Sequence, residues 1–506
     1  MGSASPLATT SHRWDSVGAQ WKKKAKGSEK VLPPGPWKLP IIGNLLHLSC
    51  SSLPFHRILG DLAKRYGSSS GGLMHLKIGE ISFVVVSSPE MAKEFLRTQD
   101  LVFASRAELM GTKILLYNCS DIAFSPYGDH WRQMRKISVM ELFNPKRVRS
   151  FSSIRQAEIH HLLTDLRSSF HRPVNLSKRI SLFMSSLICR SALGRVFSGR
   201  EDLMELFEEI LVGLEGFEFA DVFPSWKFLH GLCGNKNRML KIHRKVDPIL
   251  ENIIKEHEKK LESGELLGDE LEGEDIIDVL IKLERNGGQQ LPITHDIIKA
   301  TILDVFIAGT ETSSATIVWA MSELMKNPGV LAKAQSEVRE AFRGREMLEE
   351  NDVIIDQLPY LKSVVKETLR CHPPVPLLVP RECREETDVC GYTIPQGARV
   401  LINAWVINRD PQYWKNPDSF IPERFHNNSI DFMGNHFEFL PFGGGRRICP
   451  GLALGLANTI SPLAHLLYHF DWNFIPGITA HTLDMTEVVG LSARRSKDLF
   501  LIPTPA

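Results

Sequence analysis

Paired cysteines are missing from this sequence. Its eight cysteines, Cys50, Cys119, Cys189, Cys233, Cys371, Cys383, Cys390 and Cys449, are scattered over 506 residues without a CxxC pair. That spacing argues against a disulfide scaffold and favours a reducing compartment. A surplus of either charge is missing too. Lys and Arg total 60 against 59 Asp and Glu, a net charge of +1, so there is no electrostatic footprint for nucleic acid. No zinc finger, RNP-like run or helix-turn-helix pattern supplies one. Residues 1–30 hold no apolar run near the roughly 20 residues that span a bilayer. They show no secretory signal, and Pro6 stands where a myristoylation motif needs Ser or Thr. There is no internal repeat, and no Pro/Gly/Ser-rich linker interrupts residues 40–500.

What is present is a globular composition: 43% hydrophobic and 24% charged residues, enough for a large core and unlike a disordered chain. Residues 1–30 form a basic tail, with Arg13, Lys22, Lys23, Lys24, Lys26 and Lys30 against Asp15 and Glu29. Such a cluster either rests on an anionic membrane surface or is a plain solvated tail. Pro33-Pro34-Gly35-Pro36 marks a stiff hinge over 31–38, since proline fixes φ and excludes helix. The body then runs over 39–506. Residues 82–88 read as a strand. Helical periodicity covers 155–170, 201–216, 239–262, 274–285, 294–326, 329–343 and 358–371, with short β pieces near 375–402. The expected fold is mainly α, one large domain with a small β-rich part. The charged stretch 255–275 reads as a solvated helix end and loop. Phe217, Phe219, Phe223, Trp226 and Phe228 read either as core or as a ligand entrance facing a membrane.

The sharpest chemical signal lies at Phe442-Gly443-Gly444-Gly445-Arg446-Arg447-Ile448-Cys449-Pro450-Gly451, followed by an apolar helix. Glycines let a backbone approach another group closely. A cysteine at a helix start, beside arginines, is favoured as thiolate. Two further constellations precede it. Glu367 and Arg370 share a helix face at i, i+3, with Arg424 downstream in Pro422-Glu423-Arg424-Phe425. In the long helix 294–326, Gly309 costs roughly 1 kcal/mol against Ala. Thr312 can bond back to the carbonyl four residues earlier. Together these predict a local kink.

Phe442-x-x-Gly445-x-Arg447-x-Cys449-x-Gly451 resembles the haem-binding loop of the cytochrome P450 superfamily. The likeness extends over residues 31–503 and includes Glu367-x-x-Arg370, the Arg424 run, Ala308-Gly309-Thr310-Glu311-Thr312-Ser313 and Trp131-Arg132-x-x-Arg135. It implies the cytochrome P450 fold and haem b, with Cys449 as the iron ligand and Phe442 packed beside it. Trp131, Arg135, Arg381 and Arg447 would meet the haem propionates. Glu311 and Thr312 would relay protons to dioxygen, and Glu367, Arg370 and Arg424 would form a structural triad. The wording is similar to plant A-type microsomal enzymes, and Asp484-Met485-Thr486-Glu487 to a branch often acting on terpenoids. The implied activity is monooxygenation of a lipophilic specialised metabolite, a terpenoid first and an alkaloid or phenolic second. Electrons would come from NADPH–cytochrome P450 reductase, docked against the basic face around Arg446. A reductase-independent isomerase or dehydratase and a haem sensor are the other readings. Substrate contacts are expected from Ala104–Asp121, Asp304–Thr312, Val375–Val379 and Val488–Leu491. The group resides on the cytosolic face of the endoplasmic reticulum membrane. Residues 1–30 lack the apolar anchor with which its members begin, and Ser68–Gly72 is longer than usual, implying a flexible loop.

Overall fold

Local capping sets where the central helices begin. The computed structural model describes residues 31–49, 53–195, 200–214, 218–226, 235–263, 274–345, 357–488 and 490–506. Helices of eight or more residues among these are α1 (Phe55–Leu62), α2 (Asp129–Ile137), α3 (Ser152–Arg167), α4 (Leu176–Leu193), α5 (Arg200–Gly213), α6 (Asn235–Ser263), α7 (Ile276–Asn286), α8 (His295–Lys326), α9 (Pro328–Ala341), α10 (Pro359–Cys371) and α11 (Leu452–His469). The Thr294 hydroxyl accepts from the Ile297 N–H to open α8, with Asp296 in its first turn. Asn175 caps α4 in the same way, and Gly194 ends it at φ +69°.

α8 has 32 residues and spans about 48 Å. It is buried on nearly every face because α4, α10 and α11 pack around it. Gly309 serves this packing. A Cβ there would come within 2.9 Å of Ile188 Cδ1 on α4, so the glycine admits a neighbouring helix.

The strands form three small sheets. β1 (Leu73–Ile78) pairs antiparallel with β2 (Ile81–Val86). β3 is Val174–Asn175, β4 Arg381–Glu382, β5 Thr387–Val389, β6 Tyr392–Ile394, β7 Arg399–Ile402, β8 Phe470–Phe474 and β9 Phe500–Pro505. The sheet orders are β1-β2-β7-β4, β3-β9-β8 and β5-β6. The hinge packs on this β region, with the His75 N–H donating to the Pro34 carbonyl and the Thr393 N–H to that of Val31.

The periodic helices and the 82–88 strand fall within a few residues of their expected bounds. α4 and α1 were not expected. α4 is apolar on most faces and so shows no amphipathic period. The terminal β3-β9-β8 sheet joins short segments far apart in sequence. Ser68–Gly72 folds as a compact turn. Ser68–Ser70 make one 3₁₀ turn, and the buried Ser70 hydroxyl donates to the Gly67 carbonyl at 2.9 Å. Of the aromatic group at 217–228, Phe219, Phe223 and Trp226 pack against the β1-β2 core, with Phe219 and Phe223 stacked at 4.9 Å. Phe217 and Phe228 lie outside the described residues, as does the basic tail. No described helix is long and apolar enough to cross a membrane.

Candidate active site

The Cys449 loop closes through its glycines. The Cys449 N–H donates to the Phe442 carbonyl at 3.0 Å, and the Ile448 N–H to that of Gly445 at 3.1 Å. Gly445 adopts φ +65°, and a Cβ there would lie 2.1 Å from the Leu96 carbonyl oxygen. The Arg446 N–H donates to Asp100 Oδ2 at 2.9 Å. These contacts present Cys449, at the foot of α11, to the floor of a cavity with a water-accessible volume of about 280 Å³. The thiol is enclosed by protein yet keeps accessible surface into that cavity. Burial pushes its pKa up, while the Gly451 N–H and the Arg135 charge pull it down. Phe442 borders the cavity and meets Phe432 edge-on at 5.3 Å.

α8 forms the opposite wall through Asp304, Val305, Ala308, Gly309, Thr312 and Ser313. Asp304, Ala308 and Thr312 follow at i, i+4 and i+8 on one face. Thr312 Oγ1 donates to the Ala308 carbonyl at 2.6 Å. Glu311 sits on the adjoining face, off the cavity wall. Its Oε1 accepts from the Ser492 hydroxyl at 2.8 Å and lies 3.9 Å from Arg494 Nε.

One flank of the cavity is lined by Arg106, Arg135, Arg381 and Arg447. Arg381 donates to Asp100 at 2.8 Å and to the Gly444 carbonyl at 2.7 Å. Arg447 donates to the Ala104, Ile122 and Ser125 carbonyls and lies over the Trp131 ring at 4.2 Å. The Trp131 indole N–H is itself spent on the Ile122 carbonyl at 3.2 Å. Trp131 is thus the platform for Arg447. Arg106, which carries no motif, donates to the Ala123, Val379 and Pro380 carbonyls. Its signal in sequence was only a cationic residue within an apolar stretch.

Burial lowers the pKa of all four guanidiniums, and for Arg447 the like charge of Arg381 adds to it. Guanidinium keeps its proton regardless. The flank therefore holds cationic charge that a bound dianion would relieve. A cavity-facing cysteine, glycines that let a flat group lie close, and an arginine flank for two carboxylates together fit haem. Cys449 would ligate the iron, and Arg106, Arg135, Arg381 and Arg447 would face the propionates.

Glu367, Arg370 and Arg424 meet behind this floor. Arg424 Nε lies 3.1 Å from Glu367 Oε1. Of the segments expected to contact substrate, Asp304–Thr312 and Val375–Val379 supply wall residues, joined by Ile122 and Ala123. From Ala104–Asp121 only Arg106 reaches the wall, and none of the described part of Val488–Leu491 does.

The family model for Cytochrome P450 matches residues 33–501. The chain is 57% identical over 486 residues to premnaspirodiene oxygenase of Hyoscyamus muticus, covering 96% of this chain and 95% of that one. It is 56% identical over 488 residues to 5-epiaristolochene 1,3-dihydroxylase of Nicotiana tabacum, covering 96% and 95%. Among solved structures, a zebra fish cytochrome P450 with progesterone is 25% identical at a TM-score of 0.76, over 90% of this chain and all of that one. With its arginine flank, α8 wall and C-terminal cysteine loop, this chain belongs to the cytochrome P450 family.

Proposed function

We propose that the chain is a haem monooxygenase that oxidises a terpenoid, with reducing equivalents delivered from NADPH by a flavoprotein reductase. The observation that carries this reading is Cys449 facing Thr312 across an otherwise largely apolar cavity. Haem held by Cys449 supplies dioxygen activation, with the thiolate pushing electron density toward the metal. The chain's own groups do the rest. Thr312 Oγ1 holds a proton at the cavity wall, and Glu311 is the acid reserve behind it, positioned by Ser492. The substrate walls, Ile122, Ala123, Val305, Ala308, Val375, Leu378 and Val379, exclude water and take a lipophilic skeleton. Two relatives over 55% identical are named for oxidising premnaspirodiene and 5-epiaristolochene, which supports a terpenoid over an alkaloid or phenolic. Arg446, with its side chain half exposed beside the cysteine loop, offers a cation to an acidic reductase. Attachment to the endoplasmic reticulum membrane follows the family habit.

The test is product formation from sesquiterpene hydrocarbons with NADPH, reductase and ¹⁸O-labelled dioxygen. One labelled oxygen per product, dependent on NADPH, is expected. Conversion without NADPH points to an isomerase or dehydratase instead.

A further inference from the structure

Asp304 is the one carboxylic acid among the described residues lining the cavity. It sits two helical turns from Thr312, about 12 Å along α8. Its Oδ2 accepts from the Ile122 and Ala123 N–H groups at 2.6 and 3.1 Å. Its other oxygen remains for Asp121 and for the cavity, where this half-buried residue keeps accessible surface. Asp121 is fully buried. Its Oδ2 accepts from the Phe124 N–H at 2.6 Å, and its Oδ1 has no donor. Burial and the Asp121 charge raise the proton affinity of Asp304, and a proton held on Asp304 would supply the donor that Asp121 Oδ1 lacks.

We propose that Asp304 is the residue by which the cavity recognises a hydroxyl group, so that the chain favours a lipophilic substrate already bearing one hydroxyl over the bare hydrocarbon. This rests on the monooxygenase reading above and deepens it. As a neutral acid, Asp304 donates to Asp121 and keeps a lone pair that accepts a substrate O–H. Burial, and then the Asp121 charge, hold its carboxyl well above the usual carboxylate range. A cationic amine gains little here, because the Asp121 charge is already faced by Arg447 and Arg106. The surrounding Ile122, Ala123, Val305 and Ala308 offer no other partner. A hydroxyl placed against these apolar residues loses its water without compensation, so Asp304 anchors a hydroxyl on this part of α8, two turns from the Thr312 hydroxyl, and orients the skeleton.

The experiment is a spectral titration of the haem-loaded full chain with two probe pairs. One pair is a bicyclic sesquiterpene hydrocarbon and its monohydroxylated derivative, and the other is an aromatic bicycle with and without one hydroxyl. The wild type should bind the hydroxylated member of each pair tighter by about fivefold or more. Asp304→Asn keeps a carbonyl for the Ile122 and Ala123 N–H groups and an N–H toward Asp121, and meets a substrate hydroxyl as a donor through its second N–H, so a preference of at least about twofold should remain. Asp304→Leu should bring it to about one, with the reduced-CO band confirming that each variant is loaded. Equal binding of both members by the wild type overturns the proposal, as does an unchanged ratio in Asp304→Leu. A hydroxyl preference in the aromatic pair with no binding of either sesquiterpene keeps Asp304 and defeats the terpenoid reading.

Discussion

Arg370 grips Glu367 through two parallel hydrogen bonds, Nε to Oε2 at 2.7 Å and NH2 to Oε1 at 2.8 Å, with both side chains fully buried. The pair lies on α10, but its effect is on another segment. Arg370 also donates to the Asn408, Pro417 and Ser419 carbonyls, and Glu367 accepts from the Ile421 N–H. The chain leading to the cysteine loop is thereby fixed to the helix that backs the cavity. Removing Arg370 leaves the buried Glu367 only Arg424 and the Ile421 N–H, and strips a donor from three carbonyls, a loss near that of a broken buried pair, about 3–5 kcal/mol. Arg370→Ala should lower the denaturation midpoint sharply and yield little haem-loaded protein. Arg370→Lys should recover little, since ammonium cannot make the paired contact. Haem content and thermal midpoint of the purified variants check this.

Gly445→Ala should be nearly as damaging although it removes nothing. The added Cβ would sit on the Leu96 carbonyl oxygen in a left-handed backbone. The loop must move, carrying the Arg446 N–H off Asp100. The expected result is weakened or lost haem retention, read as the absorbance ratio of the haem band to protein. A variant that loads haem like the wild type counts against this account of the loop.

Cys449→Ser and Thr312→Val separate the two faces of the cavity. The serine variant should lose the reduced-CO band of thiolate haem. The valine variant removes only the hydroxyl that donates to Ala308. Its substrate-binding spectrum should be within twofold of wild type, while product formation falls by roughly 10²-fold, the lower range for a positioned proton donor. Unaltered turnover in Thr312→Val would assign that proton to another group.

The site was legible where chemistry forces spacing. Cys449, Arg447 and Gly445 must lie within one loop, and Glu367 and Arg370 one helical turn apart, so both sets appear as motifs. Arg106 and Asp304 were harder to see because their partners are backbone groups: the Ala123, Val379 and Pro380 carbonyls for one, the Ile122 and Ala123 N–H groups for the other. Any sequence provides backbone groups, so no pattern of residue types marks them. Glu311 was legible as a residue but not as a direction; only the structure turns its carboxylate toward Ser492. The fold followed the same division. Amphipathic helices announced themselves, while α4, buried on most faces, did not.

The stretch 255–275 is in its described part the solvated helix end it reads as, with Lys255, Glu256, Lys259 and Glu262 exposed, but its inner face carries a buried ion network. His257 and Asp275 are 1% and 5% exposed. His257 Nδ1 meets the Ile253 carbonyl at 2.8 Å, so Nδ1 carries a proton, and Nε2 lies 3.0 Å from Asp275 Oδ2. Lys260 Nζ lies 3.3 Å from Asp278 Oδ2, and Asp278 faces His257 as well. Burial by itself lowers the His257 pKa, but the Asp275 hydrogen bond and the carboxylate charges outweigh it, and the net shift is upward. A raised folded pKa means that the cation's contribution is complete below about pH 6.5, the unfolded value, and is lost as pH rises through the folded value. The α6–α7 junction should therefore loosen on the alkaline side. Thermal midpoints measured from pH 6 to 9 should fall in the wild type, and His257→Gln should start lower and stay flatter. A wild-type midpoint that rises over this range, or a variant with the same slope, would show that His257 is neutral in the fold.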